Sequence, residues 1–393
     1  MSWENAVNID DLRRLAKQRL PRVAWDYLER GAEDDLTLQS NRRRLDRLQF
    51  LPRTLVDVSK RTLQHRLFGK TYDAPFGIGP TGVAGLYCFE ADLELARAAS
   101  AANIPFTLST ASFIAMERVV KEVSCEQWFQ LYMSKDRDAA ECLVRRAEQA
   151  GFGALVITTD VPVGGNREYN RRNGFEIPFR LNSRNIIDGI CHPRWLSEVF
   201  LRTLLSTGVP RFQNVDSNVG GRIIAQDLSA FRARRDALDW SDIAWLRTIW
   251  PRPLMVKGIL TAEDALLAIE HGVDAIVVSN HGGRQLDGAI AAIDALPTIA
   301  TAVAGRVPVL FDSGIRRGMD VVKALAMGAD FVLLGRATLY GATVGGAAGV
   351  KHAIEILKAE TDRVMALIGC ASAAELDQRF IVKERFIVKE SSV

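Results

Sequence analysis

Nothing in this chain pairs its cysteines. The five, at 88, 125, 142, 191 and 370, are odd in number and no two form a C-x-x-C step. Neither a zinc site nor a disulfide framework is indicated, and reduced thiols fit a cytoplasmic setting. No uncharged apolar run approaches the roughly 18 residues that span a bilayer. An apolar signal core is missing too, because Asp10, Asp11, Arg13 and Arg14 arrive too early. Excess charge is equally scarce: 50 Lys+Arg against 47 Asp+Glu leave a formal net of +3, so no nucleic-acid footprint is present. There is no Walker A run. Gly77-Ile78-Gly79-Pro80-Thr81-Gly82 matches G-x-G-x-x-G, yet no acidic residue follows about 20 positions on, where 101–103 read Ala-Ala-Asn. Pro80 also removes a backbone donor from that turn, which argues against a nicotinamide-binding Rossmann unit.

What is present is an ordinary globular composition, with 48% hydrophobic and 25% charged residues, arranged in a rhythm. Residues 8–30 read as helical, with Leu12, Leu15, Ala16 and Leu20 on one face, and Pro21 opening a second helix that ends at Gly31. From residue 76 short apolar runs alternate with amphipathic stretches. The runs are 76–80, 105–109, 128–132, 154–159, 254–257, 275–279, 308–312 and 331–335, and helical patterns follow, for example at 90–102, 136–150, 262–271 and 318–328. Continuous apolar strands suit a parallel sheet buried on both faces. Eight such units predict a closed α/β barrel, the (β/α)8 TIM barrel, over a single domain 1–393 with N-terminal helices.

One stretch breaks the rhythm. Residues 161–240 separate the fourth strand from its helix, a long insertion of the kind that is often functional. Within it, 177–215 is net basic: Arg180, Arg184, Arg194, Arg202 and Arg211 face only Asp188 and Glu198. Trp195, Leu196, Val199, Phe200 and Leu204 recur at near-helical spacing. Such a stripe suits either a membrane interface or packing on the barrel or a neighbouring subunit. The tail carries RFIVKE twice, at 379–384 and 385–390, too short for a repeat architecture.

Polar residues gather at the C-terminal ends of the expected strands, where barrel enzymes build their sites. They are Pro80-Thr81-Gly82, Ser109, Gln130 and Tyr132, Thr158 and Asp160, Lys257, the run Ser279-Asn280-His281-Gly282-Gly283-Arg284, Asp312 to Arg316, and Gly335-Arg336. Loops are polar anyway, but that alone does not bring a lysine, a histidine, aspartates and arginines to one rim. Gly314 and Arg316 after the seventh strand, with Gly335 and Arg336 after the eighth, suit a phosphate, since glycine lets backbone N–H groups approach and arginine adds charged donors. The alternative is two helix-start loops with surface arginines. His281 is the candidate base, because imidazole titrates near neutrality and the flanking glycines give close approach rather than packing bulk. His65, His192, His271 and His352 read as surface or structural. His352 and Glu355 lack a third ligand, so no metal site is expected.

The run S-N-H-G-G-R-Q-L-D at 279–287 resembles the signature of the FMN-dependent 2-hydroxy acid oxidases and dehydrogenases. W-F-Q-L-Y at 128–132, V-K-G-I at 256–259, D-S-G-I-R-R-G at 312–318, L-G-R at 334–336 and D-Y-L-E-R-G-A-E-D at 26–34 match the same family in order, over nearly the whole chain. The resemblance implies FMN as cofactor and His281 as base, with Asp160 stabilising its imidazolium. It implies Arg284 and Arg167 as the substrate-carboxylate clamp, assisted by Tyr27, and Tyr132 on the substrate hydroxyl. Lys257 is implied at the flavin N1 and O2 end. Pro80, Thr81, Gly82, Ser109, Gln130, Thr158 and Ser279 are implied as isoalloxazine and ribityl contacts, Asp312 as a ribityl ligand, and Gly314, Arg316, Gly335 and Arg336 as the phosphate cradle.

Ala111 and Gly164 stand where glycolate oxidases carry a tryptophan and a leucine. Together with Gly82 and the insertion, they resemble the mandelate dehydrogenases, a branch that uses a membrane quinone-type acceptor from the inner face of the cell membrane. An L-lactate dehydrogenase, an oxygen-using oxidase and, more remotely, a non-catalytic flavin-binding barrel are the alternatives. Relatives are commonly homo-tetramers. The chain departs from the family pattern at Trp25, where tyrosine is usual, at Ser313, where glycine is usual, and in the duplicated hexamer.

Overall fold

Eight short parallel strands close on themselves in the order β10-β3-β4-β5-β6-β7-β8-β9. They are β3 (Phe76–Ile78), β4 (Phe106–Ser109), β5 (Gln127–Leu131), β6 (Ala154–Thr158), β7 (Leu254–Ile259), β8 (Ala275–Val278), β9 (Val309–Phe311) and β10 (Phe331–Leu334). Each overlaps one expected run. The structure, a computed structural model, describes residues 2–175, 182–215 and 235–382. β4 to β7 are buried along almost their whole length, as a sheet covered by helices outside and filled by side chains inside demands. Trp128, Val156, Met255, Val277, Leu310, Phe331 and Leu333 pack inside the barrel as a separate apolar cluster. The interior is therefore solid, and ligands must bind at an end.

One end is plugged by a hairpin that periodicity did not suggest. β1 (His65–Leu67) pairs antiparallel with β2 (Lys70–Tyr72), and Leu67 and Tyr72 join the interior cluster. Strands of three residues are too short for alternation to show. The N-terminal helices are Ile9–Arg19, Arg22–Glu29 and Leu36–Arg47. The first is capped by the Asn8 side chain accepting from Asp11 N–H at 2.9 Å. The helix closing the fourth unit, Trp240–Ile249, starts from a capping box between Asp239 and Asp242. It follows the insertion as the sequence implied.

Within the insertion, Ser183–Cys191 is helical, and a continuous helical run passes through Pro193–Trp195, Leu196–Leu201 and Arg202–Thr207. This run is pinned to the barrel. Trp195 Nε1 donates to Leu86 O at 2.7 Å, Val199 is buried, Glu198 accepts from Arg19, and the Arg202 guanidinium lies 4.2 Å from the centroid of the Phe89 ring. The stripe at near-helical spacing is thus largely a packing face. The exposed apolar residues lie elsewhere, at Ile186, Ile187, Ile190, Leu201 and Leu205. Among the described residues no helix is long and apolar enough to cross a membrane. Residues 177–181 of the basic segment, and the tail repeat from 383 onward, lie outside the described residues.

Candidate active site

A cavity of about 760 Å³ opens at the C-terminal rim of the barrel. Tyr27, Pro80, Thr81, Gly82, Gln130, Tyr132, Thr158, Arg167, Lys257, His281, Arg284, Asp312, Gly314, Arg316, Gly335 and Arg336 all line it, as do Ala111 and Gly164. Three expected site residues stand one layer behind. Ser109 Oγ donates to Gln130 Oε1 at 3.0 Å, Lys257 Nζ donates to Ser279 Oγ at 2.8 Å, and Asp160 Oδ1 lies 2.9 Å from His281 Nδ1.

His281 sits in a turn of unusual backbone. It has φ +58° and is followed by Gly282 and Gly283 at +65° and +75°. The glycines are needed for space as well as angle: a Cβ on Gly283 would lie 2.5 Å from Leu38 N. The N-terminal helix Leu36–Arg47 can therefore dock on the turn. Asn41 and Asn280 exchange side-chain hydrogen bonds at 2.8 and 2.7 Å. Asp287, the last residue of the motif, accepts from the N–H groups of Leu36 and Thr37 at 3.1 and 2.8 Å, capping that helix. The turn orients the imidazole with Nδ1 on Asp160 and Nε2 3.4 Å from the Tyr132 hydroxyl.

Burial holds His281 below its ordinary pKa, against the pull of Asp160. For Asp160, burial opposes ionisation, but His281 and Lys257 outweigh it and keep the carboxyl below its usual range. Burial likewise opposes the charge on Lys257, but Asp312 at 3.0 Å and Asp160 outweigh it and raise its pKa. The resulting state is a neutral imidazole beside an ionised carboxylate, with a buried ammonium on the cavity floor.

Two guanidinium groups flank the Tyr27 ring, Arg284 at 4.8 Å and Arg167 at 5.9 Å from its centroid. Arg284 Nη1 donates to Tyr27 O and Arg30 O at 2.7 and 2.9 Å. Arg336 donates to Leu28 O, Gly282 O and Arg30 O. The acceptors include carbonyls at the C-terminus of helix Arg22–Glu29, which lack helical partners and favour cations. Burial with Arg284 and Arg316 nearby pushes Arg336 down to about 10. Arg316 donates to the Tyr340 hydroxyl at 3.2 Å, which in turn donates to Glu29 at 2.6 Å. Cations crowded this closely create a site for an anion.

Several lining residues were missed from sequence. Gln285 donates through Nε2 to Asp160 O and Val163 O at 3.2 and 3.3 Å and accepts from Arg167 at 2.9 Å, joining the backbone beside the Asp160 carboxylate to the Arg167 guanidinium. Its place inside the histidine motif was the available signal. Phe175, Phe212, Val215 and Arg235 come from the insertion. Phe212 and Val215 pack with Val83, and Ala111 and Phe113 join that cluster. Asn214 fastens this segment, accepting from Met116 N–H at 3.0 Å and donating to Ile114 O at 2.9 Å. No local pattern in the sequence marks these contacts.

With that geometry in view, comparison with known proteins is decisive. The model of the family described as FMN-dependent dehydrogenase matches residues 16–383. The chain belongs to this family. It is 43% identical over 381 residues to (S)-mandelate dehydrogenase of Pseudomonas putida, covering 97% of this chain and 95% of that one. It is 44% identical over 382 residues to L-lactate oxidase of Nostoc sp., covering 95% and 98%. The crystal structure of the monotopic membrane protein (S)-mandelate dehydrogenase superposes with a TM-score of 0.89 at 42% identity, covering 97% of this chain and 100% of that one. The protein is an FMN-dependent oxidoreductase acting on 2-hydroxy acids.

The cavity fits FMN on its own evidence. Gln130 Nε2 and Thr158 Oγ1 are buried polar atoms with no hydrogen-bond partner among the described residues, both on residues that line the cavity. Such atoms call for a polar partner, which the carbonyl and ring-nitrogen edge of a flavin can supply. At the other end, Gly314 has φ +99° and a Cβ on Gly335 would meet nothing, next to Arg316 and Arg336. That is an open cradle for a phosphate.

Proposed function

We propose that this enzyme oxidises (S)-mandelate to benzoylformate and hands the electrons to a quinone-type acceptor. The observation that carries the substrate is the apolar wall formed by Ala111, Phe175, Phe212 and Val215 in the same cavity as the arginine pair. A carboxylate held by Arg284 and Arg167, with Tyr27 assisting, leaves the substituent on C2 to meet that wall. His281 takes a proton from the substrate as Tyr132 holds its hydroxyl. Asp160 stabilises the imidazolium so formed. When bound, FMN would supply the acceptor for the electron pair and for the second proton that leave the substrate. Pro80, Thr81, Gly82, Ser109, Gln130, Thr158, Ser279 and Asp312 would hold its ring and ribityl chain, and Gly314, Arg316, Gly335 and Arg336 would hold its phosphate. Lys257 offers a fixed positive charge against the negative charge the cofactor gains.

Burying a phenyl ring is worth roughly 1.5–3 kcal/mol that a methyl group or hydrogen forfeits. In anaerobic mixing with (S)-mandelate, L-lactate and glycolate, mandelate is expected to bleach the flavin with the highest kcat/KM. Ala111→Trp should shift preference towards the small acids. Equal or better efficiency with lactate overturns the mandelate assignment. The 44% identity to an L-lactate oxidase favours the second reading, an oxygen-using lactate enzyme. Steady peroxide formation in air would select it.

The same reading places the enzyme, as a single-domain homo-tetramer, on the inner face of the cell membrane. Its contact is the exposed set Ile186, Ile187, Ile190, Leu201 and Leu205, with Arg184, Arg194 and Arg202 nearby in sequence for anionic headgroups. Deleting 177–215 would also remove the Trp195 and Val199 anchors, so substitution is the cleaner test. Serine at 186, 187 and 190 together should release the protein from anionic liposomes and leave activity towards a soluble dye intact. Undiminished co-sedimentation counts against this surface.

A further inference from the structure

Ser313 is a serine in a backbone conformation that suits glycine, at φ +88°. A side chain kept there at a cost in strain, lining the cavity, calls for a physical reason. Its hydroxyl makes three contacts. Oγ donates to Asp312 Oδ1 at 2.8 Å, and it accepts from Gly282 N–H at 3.1 Å and Asn280 N–H at 3.3 Å. Both N–H groups belong to the left-handed turn that carries His281. Asp312 is the carboxylate paired with Lys257 at 3.0 Å. Lys257 in turn donates to Ser279 Oγ, which accepts from His281 N–H at 3.0 Å. A closed ring of contacts thus runs from the base's turn through Ser313 and Asp312 to Lys257 and back through Ser279.

We propose that Ser313 is a positioning residue whose hydroxyl locks the His281 turn to the Lys257–Asp312 pair. One side chain then sets both the aim of the base and the share of the lysine's charge that Asp312 neutralises. This rests on the reading of His281 as base and Lys257 as the cation beside FMN. Without the hydroxyl, the N–H groups of Asn280 and Gly282 lose an acceptor and the turn is free to relax. Asp312 loses a donor, so its charge is less dispersed and opposes Lys257 more fully.

Ser313→Gly is the discriminating variant, because glycine adopts φ +88° without strain and any loss reports the hydroxyl. Ser313→Ala keeps the strain and removes the same group. Both are expected to slow the limiting rate of flavin reduction about ten-fold with KM little changed, the loss of hydrogen bonds that include one to a charged group. Both should also lower the reduction potential of the bound FMN. The Gly variant should melt at a higher temperature than the Ala variant. Parent rate and potential in Ser313→Gly overturn the proposal, as does loss in the Ala variant alone, which would trace the effect to backbone strain. Failure of the underlying reading shows separately, as a His281→Ala enzyme that still turns over at the parent rate.

Discussion

Replacing His281 with alanine is expected to slow substrate oxidation by roughly 10²–10⁴-fold while FMN stays bound. The imidazole is fixed at both nitrogens, by Asp160 at 2.9 Å and the Tyr132 hydroxyl at 3.4 Å. Alanine leaves no group able to take a proton at that point. FMN should remain, since all the residues assigned to its ring, ribityl chain and phosphate except Ser279 lie on other strands. The base works only when neutral. Its pKa is held below the ordinary 6.5 by burial, so kcat/KM should be flat near neutrality and fall as pH drops through that lowered value. Asp160 pulls the pKa upward. Asp160→Asn should therefore move the acid limb to still lower pH and also reduce the plateau, because the imidazolium loses its counter-charge. Stopped-flow bleaching across pH 4–9 reads both effects. A His281→Ala protein that reduces its flavin at the parent rate would sink the base assignment.

The barrel was legible because its strands are buried on both faces, so each reads as an apolar run whatever its neighbours. Gln130, Lys257 and His281 were legible for a related reason: the site sits where the apolar runs end, and polar residues that interrupt or follow the end of a run stand at the rim. The failures share the opposite property. The β1–β2 hairpin is two three-residue strands whose burial depends on the barrel end they plug. Phe212 and Val215 meet Ala111 across about a hundred residues of chain, so the room left by alanine could be seen and its occupant could not. Trp195 and Val199 carried a spacing that fits a membrane face and a packing face equally. The 2.7 Å bond to Leu86 O decides Trp195 for packing. Asp287 closes the motif that carries His281, and its work as the cap of another helix shows only in the fold.

Arg284→Lys is expected to cost roughly 10²-fold in kcat/KM for the 2-hydroxy acid, with much of the loss in KM. Removing one partner of a buried, hydrogen-bonded charge pair costs about 2–5 kcal/mol, which is roughly 30-fold to several thousand-fold. Lysine keeps the charge, which holds the loss towards the lower half of that range. It cannot keep the geometry. Arg284 donates to two carbonyls with one nitrogen and stacks 4.8 Å from the Tyr27 centroid, which fixes the plane of its fork in the cavity. An ammonium has a single nitrogen and no plane to lay on the ring. The carboxylate does not change during the reaction, so the clamp holds substrate and transition state alike, and weakening it appears first in KM. The part that appears in kcat reports how far the substrate has swung out of line with His281. Arg167 is held differently, on Gln285 and on the carbonyl of Arg284 itself, so the lysine variant should also loosen its partner. Arg167→Lys combined with Arg284→Lys should then cost less than the product of the single losses. FMN content and melting temperature near those of the parent would show that the pocket still folds. Unchanged KM and kcat in the Arg284→Lys enzyme would remove this residue from the clamp and leave the carboxylate to Arg167 and Tyr27.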